Sequence, residues 1–398
     1  MLQKQPAKSE NFIVTELKTQ LKKHYANNLY RSRIKYLGKQ TVNPKGYVNF
    51  SSNDYLGFAT NPEIIKKTQD LISTIGLGSG ASTLISGYHT IHQDLENTIK
   101  DLLKCEQVIL FPSGYMANLA IADVLLKINP KNSIAIHDHN NHASILDGTR
   151  MANAQFARFQ HNNIDHLSKI LNKYESRNKF IFTESLFSMD GDFADLTKIH
   201  DILQQHTNTC LIVDESHSFG LYNSGKILSY GMHDLVMGTF GKAMGAAGAF
   251  VAGPKVFIES FIQFARPYIY TTSLSPVMAA AALYSIRLNQ QTDEFREKLF
   301  TNIAYFCNQL NQIGIQPLNS TSPIQPIIIG DSKDCLQAVE YLHQNNIILT
   351  AIRSPTVALN KARLRITLSA NHNKEQIDHL IKHLAVLAIN NKASVSHE

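Results

Sequence analysis

Two short apolar runs, each ending in ionisable residues, constrain this chain more than any other feature. The first covers Cys210 to His217 (CLIVDESH) and the second Leu235 to Lys242 (LVMGTFGK). Leu211 to Val213 is continuous, apolar and rich in β-branched side chains, as in a strand buried on both faces of a parallel sheet. Asp214 and His217 then fall at its carboxyl end. In open α/β sheets ligands bind at those ends, so the second run brings Thr239 and Lys242 to the same crevice.

An acid facing a cationic ring nitrogen, with a lysine able to form a Schiff base, is what pyridoxal phosphate (PLP) requires, because the acid keeps the ring protonated as an electron sink. Alone, Asp214 is equally a helix cap or a surface acid after a strand. An apolar strand followed by Asp-Glu-x-His is also found on the magnesium-binding strand of helicase-type ATPases. That alternative requires an upstream G-x-x-x-x-G-K-[ST] loop, and no Gly-Lys pair in the chain is followed by Ser or Thr.

The rest of the chain supplies the frame. Between Val108 and Ala252 about seven strand-like runs alternate with helical periodicity, which predicts βαβ units in one α/β domain. After Pro276 a long helical region leads to strands expected over Ile324–Ile329, Ile347–Ile352 and Leu364–Leu368, a smaller α+β unit. The expected division is a helical segment over 1–46, a large domain over 47–290 and a small domain over 291–398. Residues 15–42 read as a basic helix with Leu17, Leu21, Tyr25 and Leu29 on one stripe. Asn61 and Pro62 start a helix that ends near Gly76. The glycine-rich stretch from Gly76 to Ser82 lacks the leading strand and last glycine of a dinucleotide fingerprint, so it reads as a close-approach loop. The polar stretch Ser51 to Gly57 reads as a substrate-contacting loop.

Ser113 to Asn118 opens a helix whose first N–H groups suit an anion, or Ser113 is simply its cap. His137, His139 and His142 are spaced closely enough to suggest metal, yet no acids or histidines elsewhere complete a set; an aromatic role against a flat ligand is the other reading, and no metal site is expected. The four cysteines are widely spaced without a C-x-x-C pair, which suits a reducing cytoplasm. No export signal and no apolar run of about 18 residues is present, so no membrane association is expected. The net charge of +6 is modest and dispersed, which disfavours a nucleic-acid binder and suits an acidic ligand or carrier.

Five ordered motifs, SNDYLG (52–57), SLFSMDGD (185–192), VDESH (213–217), TFGK (239–242) and ARLRITL (362–368), resemble those of the α-oxoamine synthases, a family of PLP-dependent transferases of fold type I, over nearly the whole chain. The resemblance implies a large domain with a mostly parallel seven-stranded sheet, a smaller C-terminal α+β domain and a homodimer with shared sites. It makes Lys242 the Schiff-base lysine, Asp214 the partner of the pyridinium nitrogen, and His217 the partner of the ring hydroxyl with help from Ser188. His142 would stack on the ring. Ser113, Gly114, Tyr115 and Thr239 would take the phosphate, with Thr271 and Thr272 completing the neighbouring subunit's site. Asn53 and Arg365 would hold an amino-acid carboxylate.

The expected reaction is a decarboxylative condensation of L-alanine with a pimeloyl thioester of coenzyme A or an acyl carrier protein. Ser216 stands where the family usually has alanine, Ala243 and Met244 replace a common Gly-Phe, and Ser354 interrupts an Arg-Pro-Pro-Thr run. These departures, with features near Ala152 and His161, leave open the autoinducer-type members, the glycine-using and serine-using members, and a partner-binding subunit without activity.

Overall fold

In the CLIVD run Cys210 and Ile212 lie on one face of a strand and Leu211 and Val213 on the other, so the strand is stable only where both faces are covered. The computed structural model, which describes residues 11–33, 35, 46–222, 234–315, 318 and 320–395, meets that demand. In chain order its strands are β1 (Val48–Asn49), β2 (Gln107–Phe111), β3 (Ser133–Asp138), β4 (Phe156–Phe159), β5 (Asn178–Glu184), β6 (Thr209–Asp214), β7 (Leu235–Thr239) and β8 (Ala249–Gly253). Strands β2 to β8 form one seven-stranded sheet in the order β2-β8-β7-β6-β5-β3-β4. Only β8 breaks the parallel pattern, running antiparallel to both its neighbours, β2 and β7.

Alternation along the strands divides the core into two layers. Phe180, Phe182, Cys210, Ile212, Leu235 and Met237 pack with helices Gly114–Leu125 and Lys255–Phe264 on one face. Ile134, Ile136, Ile181, Leu211 and Val213 pack with helices Ile164–Lys173 and Leu196–Leu203 on the other. Each buried Ile, Val or Phe contributes roughly 1.5–3 kcal/mol relative to exposure, so this double cover fixes the sheet and with it the positions of the strand ends.

The C-terminal strands are β9 (Ile324–Gly330), β10 (Ile347–Ile348), β11 (Ala351–Ile352) and β12 (Ala362–Thr367), of which β11, β12 and β9 form an antiparallel sheet. The strand expected over Ile347–Ile352 is thus split. Its first half pairs in parallel with β1 and its second half with β12, and the intervening Leu349 and Thr350 carry the chain from one sheet to the other. Residues 47–57, expected with the large domain, are consequently stitched to the C-terminal unit. Thr367 N–H donates to the Phe50 carbonyl (2.8 Å) and Ala370 N–H to that of Tyr55 (2.7 Å).

At the N-terminus the helix spans Phe12–Ala26 and is exposed throughout. It stops short of the extent expected over 15–42 because Asn27 caps it and Asn28 turns left-handed at φ 57°; residues 34 and 36–42 of that expectation lie outside the described residues. The helix begun at Asn61, whose side chain accepts from the N–H groups of Glu63 and Ile64, ends at Ile75 as the spacing predicts. Among the described residues no helix is long and apolar enough to cross a membrane.

One close approach sets the geometry next to the strand ends. Gly148, in helix Ala143–Met151, lies so near helix Gly114–Leu125 that a Cβ there would fall 2.9 Å from Ala122 Cβ and 3.0 Å from the Asn118 carbonyl oxygen. Gly148→Val should therefore prise the two helices apart and lower stability by about 1–3 kcal/mol, as overpacking does. Urea unfolding checks this, and an unchanged midpoint would mean that the helices have slack.

Candidate active site

Asp214 ends β6, and strand register sets Glu184 of β5 on one side of it and Met237 of β7 on the other. These ends, with the start of helix Gly114–Leu125, enclose a cavity of about 170 Å³ that Lys242 and His142 also line. The expected residues Gly114, Tyr115, His142, Asp214, His217, Thr239 and Lys242 are all brought to this one cavity.

Glu184 and Asp214 line the cavity, Glu215 is buried next to Asp214 in the chain, and the surroundings of the three carboxyls differ. Asp214 has two donors: Asn118 Nδ2 to Oδ2 (2.9 Å) and Ser216 N–H to Oδ1 (2.8 Å). Glu215 has no hydrogen-bond partner for either carboxylate oxygen among the described residues, and burial, together with the charge of Asp214, pushes its carboxyl well up. Glu184 is likewise pushed well up, by burial first and then by Asp214, although it accepts the His142 N–H at 2.6 Å. Of the three, Asp214 is the carboxyl with a donor to each of its oxygens.

The lysine and histidines are equally conditioned by burial. Burial brings the Lys242 amine down to about 8, with Arg365 pushing the same way and Asp214 and Glu184 opposing. His217 is pushed well down by burial and by the nearby Lys242 and Arg365, so its ring is neutral. Its Nδ1 lies 2.7 Å from the Tyr55 hydroxyl, which donates to Asn53 Oδ1 (3.1 Å), and the other ring nitrogen is left for a ligand. His142 caps helix Ala143–Met151 with its Nδ1 2.8 Å from Ser144 Oγ, and burial lowers it also. Ser144 Oγ in turn accepts from Asn118 (2.9 Å), so one amide orients both Asp214 and the His142 ring. His137 departs from the histidine group: it is buried, stacked on Phe182 and bonded to Thr149.

The helix start is shaped for a ligand. Ser113 Oγ accepts the Met116 N–H (3.3 Å) and caps the helix, leaving its first N–H groups to the cavity. Gly114 borders the cavity, and a Cβ there would meet Met237 at 3.7 Å and Ser216 Oγ at 3.8 Å, ordinary van der Waals contact. Thr239 Oγ1 donates to the Gly248 carbonyl (2.8 Å) and accepts from Gly241 N–H (3.2 Å), which ties the lysine turn to β8.

A second cluster adjoins the first through Tyr55. Arg365 is only 7% exposed; it donates Nη1–H to Asn53 Oδ1 (3.1 Å) and Nε–H to the Ser188 carbonyl (2.6 Å). Ser188 thus reaches the site through its backbone. The two arginines of the ARLRITL strand differ: Arg363 forms an ion pair with Asp190, whereas Arg365 has no carboxylate partner among the described residues. A buried cation without an anion is costly, and an incoming carboxylate offsets that cost. Thr271 and Thr272 do not line the cavity of this chain; they sit on the exposed turn after Tyr270.

Tyr55, Asn118, Ser144 and Glu184 are members of the site that the sequence reading passed over. Each had a signal: Tyr55 lies in the polar stretch of Asn53, Asn118 falls one turn after Gly114, Ser144 follows His142 by two, and Glu184 ends the strand beside that of Asp214.

The chain matches the model of the family described as aminotransferase class I and II over residues 45–384. It is 41% identical to the 8-amino-7-oxononanoate synthase of Hydrogenovibrio crunogenus, covering 92% of this chain and 94% of that protein. Among solved structures, serine palmitoyltransferase of S. paucimobilis, determined with bound PLP, superposes with a TM-score of 0.87 at 25% identity over 96% of this chain and 99% of that one. The 8-amino-7-oxononanoate synthase of Francisella tularensis superposes with a TM-score of 0.75 at 30% identity, over 88% and 99% of the two chains. The architecture is accordingly that of the fold type I enzymes. The chain belongs to the class I and II aminotransferase family, within the group that holds the 8-amino-7-oxononanoate synthases.

Proposed function

We propose that this chain is a PLP-dependent 8-amino-7-oxononanoate synthase, joining L-alanine to the acyl carbon of a pimeloyl thioester with loss of the thiol and carbon dioxide. The observation that carries the reading is the juxtaposition of Lys242 and Asp214 in one buried cavity with the carboxylate-free Arg365 beside it. The donor set fits PLP: an amine for its aldehyde, an acid with two donors for its ring nitrogen, and a glycine-lined helix start for its phosphate. When bound there, PLP supplies an electron sink for the charge left at the alanine Cα.

Lys242 would hold the cofactor and would serve as base for the alanine Cα proton, since an amine lowered to about 8 is neutral often enough near that pH. Asp214 keeps the proton on the ring nitrogen. His217 bonds the ring hydroxyl, with Ser188 nearby, and His142 covers the ring face. Ser113, Gly114, Tyr115 and Thr239 take the phosphate. Arg365 and Asn53 grip the alanine carboxylate, which a planar guanidinium suits.

We also propose a homodimer in which Thr271 and Thr272 complete the neighbouring phosphate site. Leu77, Ile85, Phe264 and Tyr270 are all more than half exposed, and the Ser79 hydroxyl bonds the Leu274 carbonyl (2.6 Å), which ties the glycine-rich loop to the segment after the threonine turn; exposed apolar side chains on both suit such a contact. Four free thiols, three of them buried, suit a cytoplasmic home.

Lys242→Ala should lower condensation by at least about 10²–10⁴-fold, the usual worth of a positioned base, in an assay of product from alanine and pimeloyl-coenzyme A; near-normal turnover would end the assignment. Arg365→Ala should raise the alanine dissociation constant about ten- to a hundredfold, since a hydrogen bond to a charged group contributes about 1.5–3 kcal/mol; this is read by spectral titration of the PLP-loaded protein. Covalent loading of the apoprotein requires the neutral amine, so its rate should climb as pH rises through about 8 and level above. A midpoint near that of an ordinary lysine would show that burial does not act on Lys242.

A further inference from the structure

The turn between Ser185 and Phe193 stands between the two clusters of the site and the C-terminal unit. It is a tight hairpin, closed by the Leu186–Phe193 bridge and by the Phe187 N–H to Asp192 carbonyl bond (2.9 Å). Its tip offers backbone carbonyls to C-terminal side chains: Ser188 to Arg365 Nε (2.6 Å), Met189 to Arg363 Nη1 (3.3 Å) and Gly191 to Ser320 Oγ (2.8 Å). The direction of the Arg365 guanidinium therefore depends on where this hairpin sits.

The base of the hairpin is joined to β6 by the Ser185 N–H to Asp214 carbonyl bond (3.0 Å), Asn140 Nδ2 reaches Asp190 (3.2 Å), and a further anchor toward β3 is a side chain outside the cavity. His161 places Nδ1 2.8 Å from Asp138 Oδ1, at the end of β3, and Nε2 2.8 Å from Asp192 Oδ2, at the base of the hairpin. Asn162 repeats the link, with its N–H to Asp138 Oδ2 (3.0 Å) and its Nδ2 to Asp192 Oδ2 (2.8 Å). Phe187 meets the His161 ring edge to face at 4.4 Å, which fixes the ring plane. Burial opposes a positive ring, but the bonds and charges of Asp138 and Asp192 outweigh it and push His161 up to about 10. Both contacts are then charge-assisted, the stronger kind of hydrogen bond.

We infer that His161 is a positioning residue for the amino-acid carboxylate: by tying Asp192 of the hairpin to Asp138 of the sheet, it sets the Ser188 carbonyl that aims Arg365. The inference rests on the reading of Arg365 as the carboxylate site. Glutamine at 161 cannot bridge two carboxylates with two charged donors, so the hairpin would lose one of its two ties to β3.

The test compares PLP-loaded wild type, His161→Gln, Asp192→Asn, Arg365→Ala and the double variant His161→Gln/Arg365→Ala. The readouts are alanine dissociation constant, PLP dissociation constant and KM for pimeloyl-coenzyme A. His161→Gln should raise the alanine constant about tenfold, as loss of a charge-assisted tie implies, while the PLP constant and thioester KM stay within about twofold. The double variant should bind alanine no more weakly than Arg365→Ala alone, because both act through one group. Should His161→Gln fail to fold, Asp192→Asn is expected to show the same selective loss.

An alanine constant that is unchanged in His161→Gln, or in Asp192→Asn when that variant stands in, overturns the inference, as do effects that simply add in the double variant. So does equal weakening of alanine, PLP and thioester, the mark of general loosening. If Arg365→Ala itself leaves alanine binding intact, the carboxylate reading fails, and that result is distinct from a failure at His161 alone.

Discussion

The bond from the Asn118 amide to the Asp214 carboxylate is the interaction on which the rest of the site depends. Asp214 ends the central strand of a sheet covered on both faces, where an ionised acid is stable only with donors of its own. Asn118 supplies one from the helix that begins at Gly114, and the same amide reaches Ser144 and so the His142 ring. Helix start, acid and histidine are thereby held in one frame. Gly148 lets that frame close, since any side chain there would strike the Asn118 backbone.

Electrostatics then assign roles among like groups. Glu184, Asp214 and Glu215 crowd the strand ends, and burial pushes the first and last toward the neutral form. That leaves the Lys242 amine, brought down to about 8 by burial, with less opposing negative charge than three ionised acids would supply.

Much of this was legible in the sequence because buried parallel strands and their ends leave a strong pattern: runs such as CLIVD and LVMGT are short, apolar on both faces and followed by polar residues. The seven-stranded sheet followed from that pattern, and so did the meeting of Lys242 with Asp214 and His217. Contacts made across long stretches of sequence left no such pattern. Nothing local indicates that Ile347–Ile352 divides between two sheets, because its alternation is the same whichever partner it finds. Tyr55 looked like one polar turn residue among several, and its bond to His217, 162 positions away, exists only in the fold. The apolar stripe of the first helix continued in sequence to Leu29, beyond Ala26, but paired asparagines ended the helix.

The pairing of β1 with β10 has a consequence for the order in which the site is assembled. The residues facing the cavity lie between Gly114 and Lys242, whereas Asn53 and Arg365 are 312 positions apart. On a growing chain the first group has its strands and helices available well before the last third emerges. Val48 and Asn49, which lead into the stretch that carries Asn53, must wait with unpaired backbone until Ile347 and Ile348 arrive beside them. The cluster around Asn53 and Arg365 is thus the last part of the site to form, and a chain cut short before Arg365 loses it while keeping every residue of the cavity.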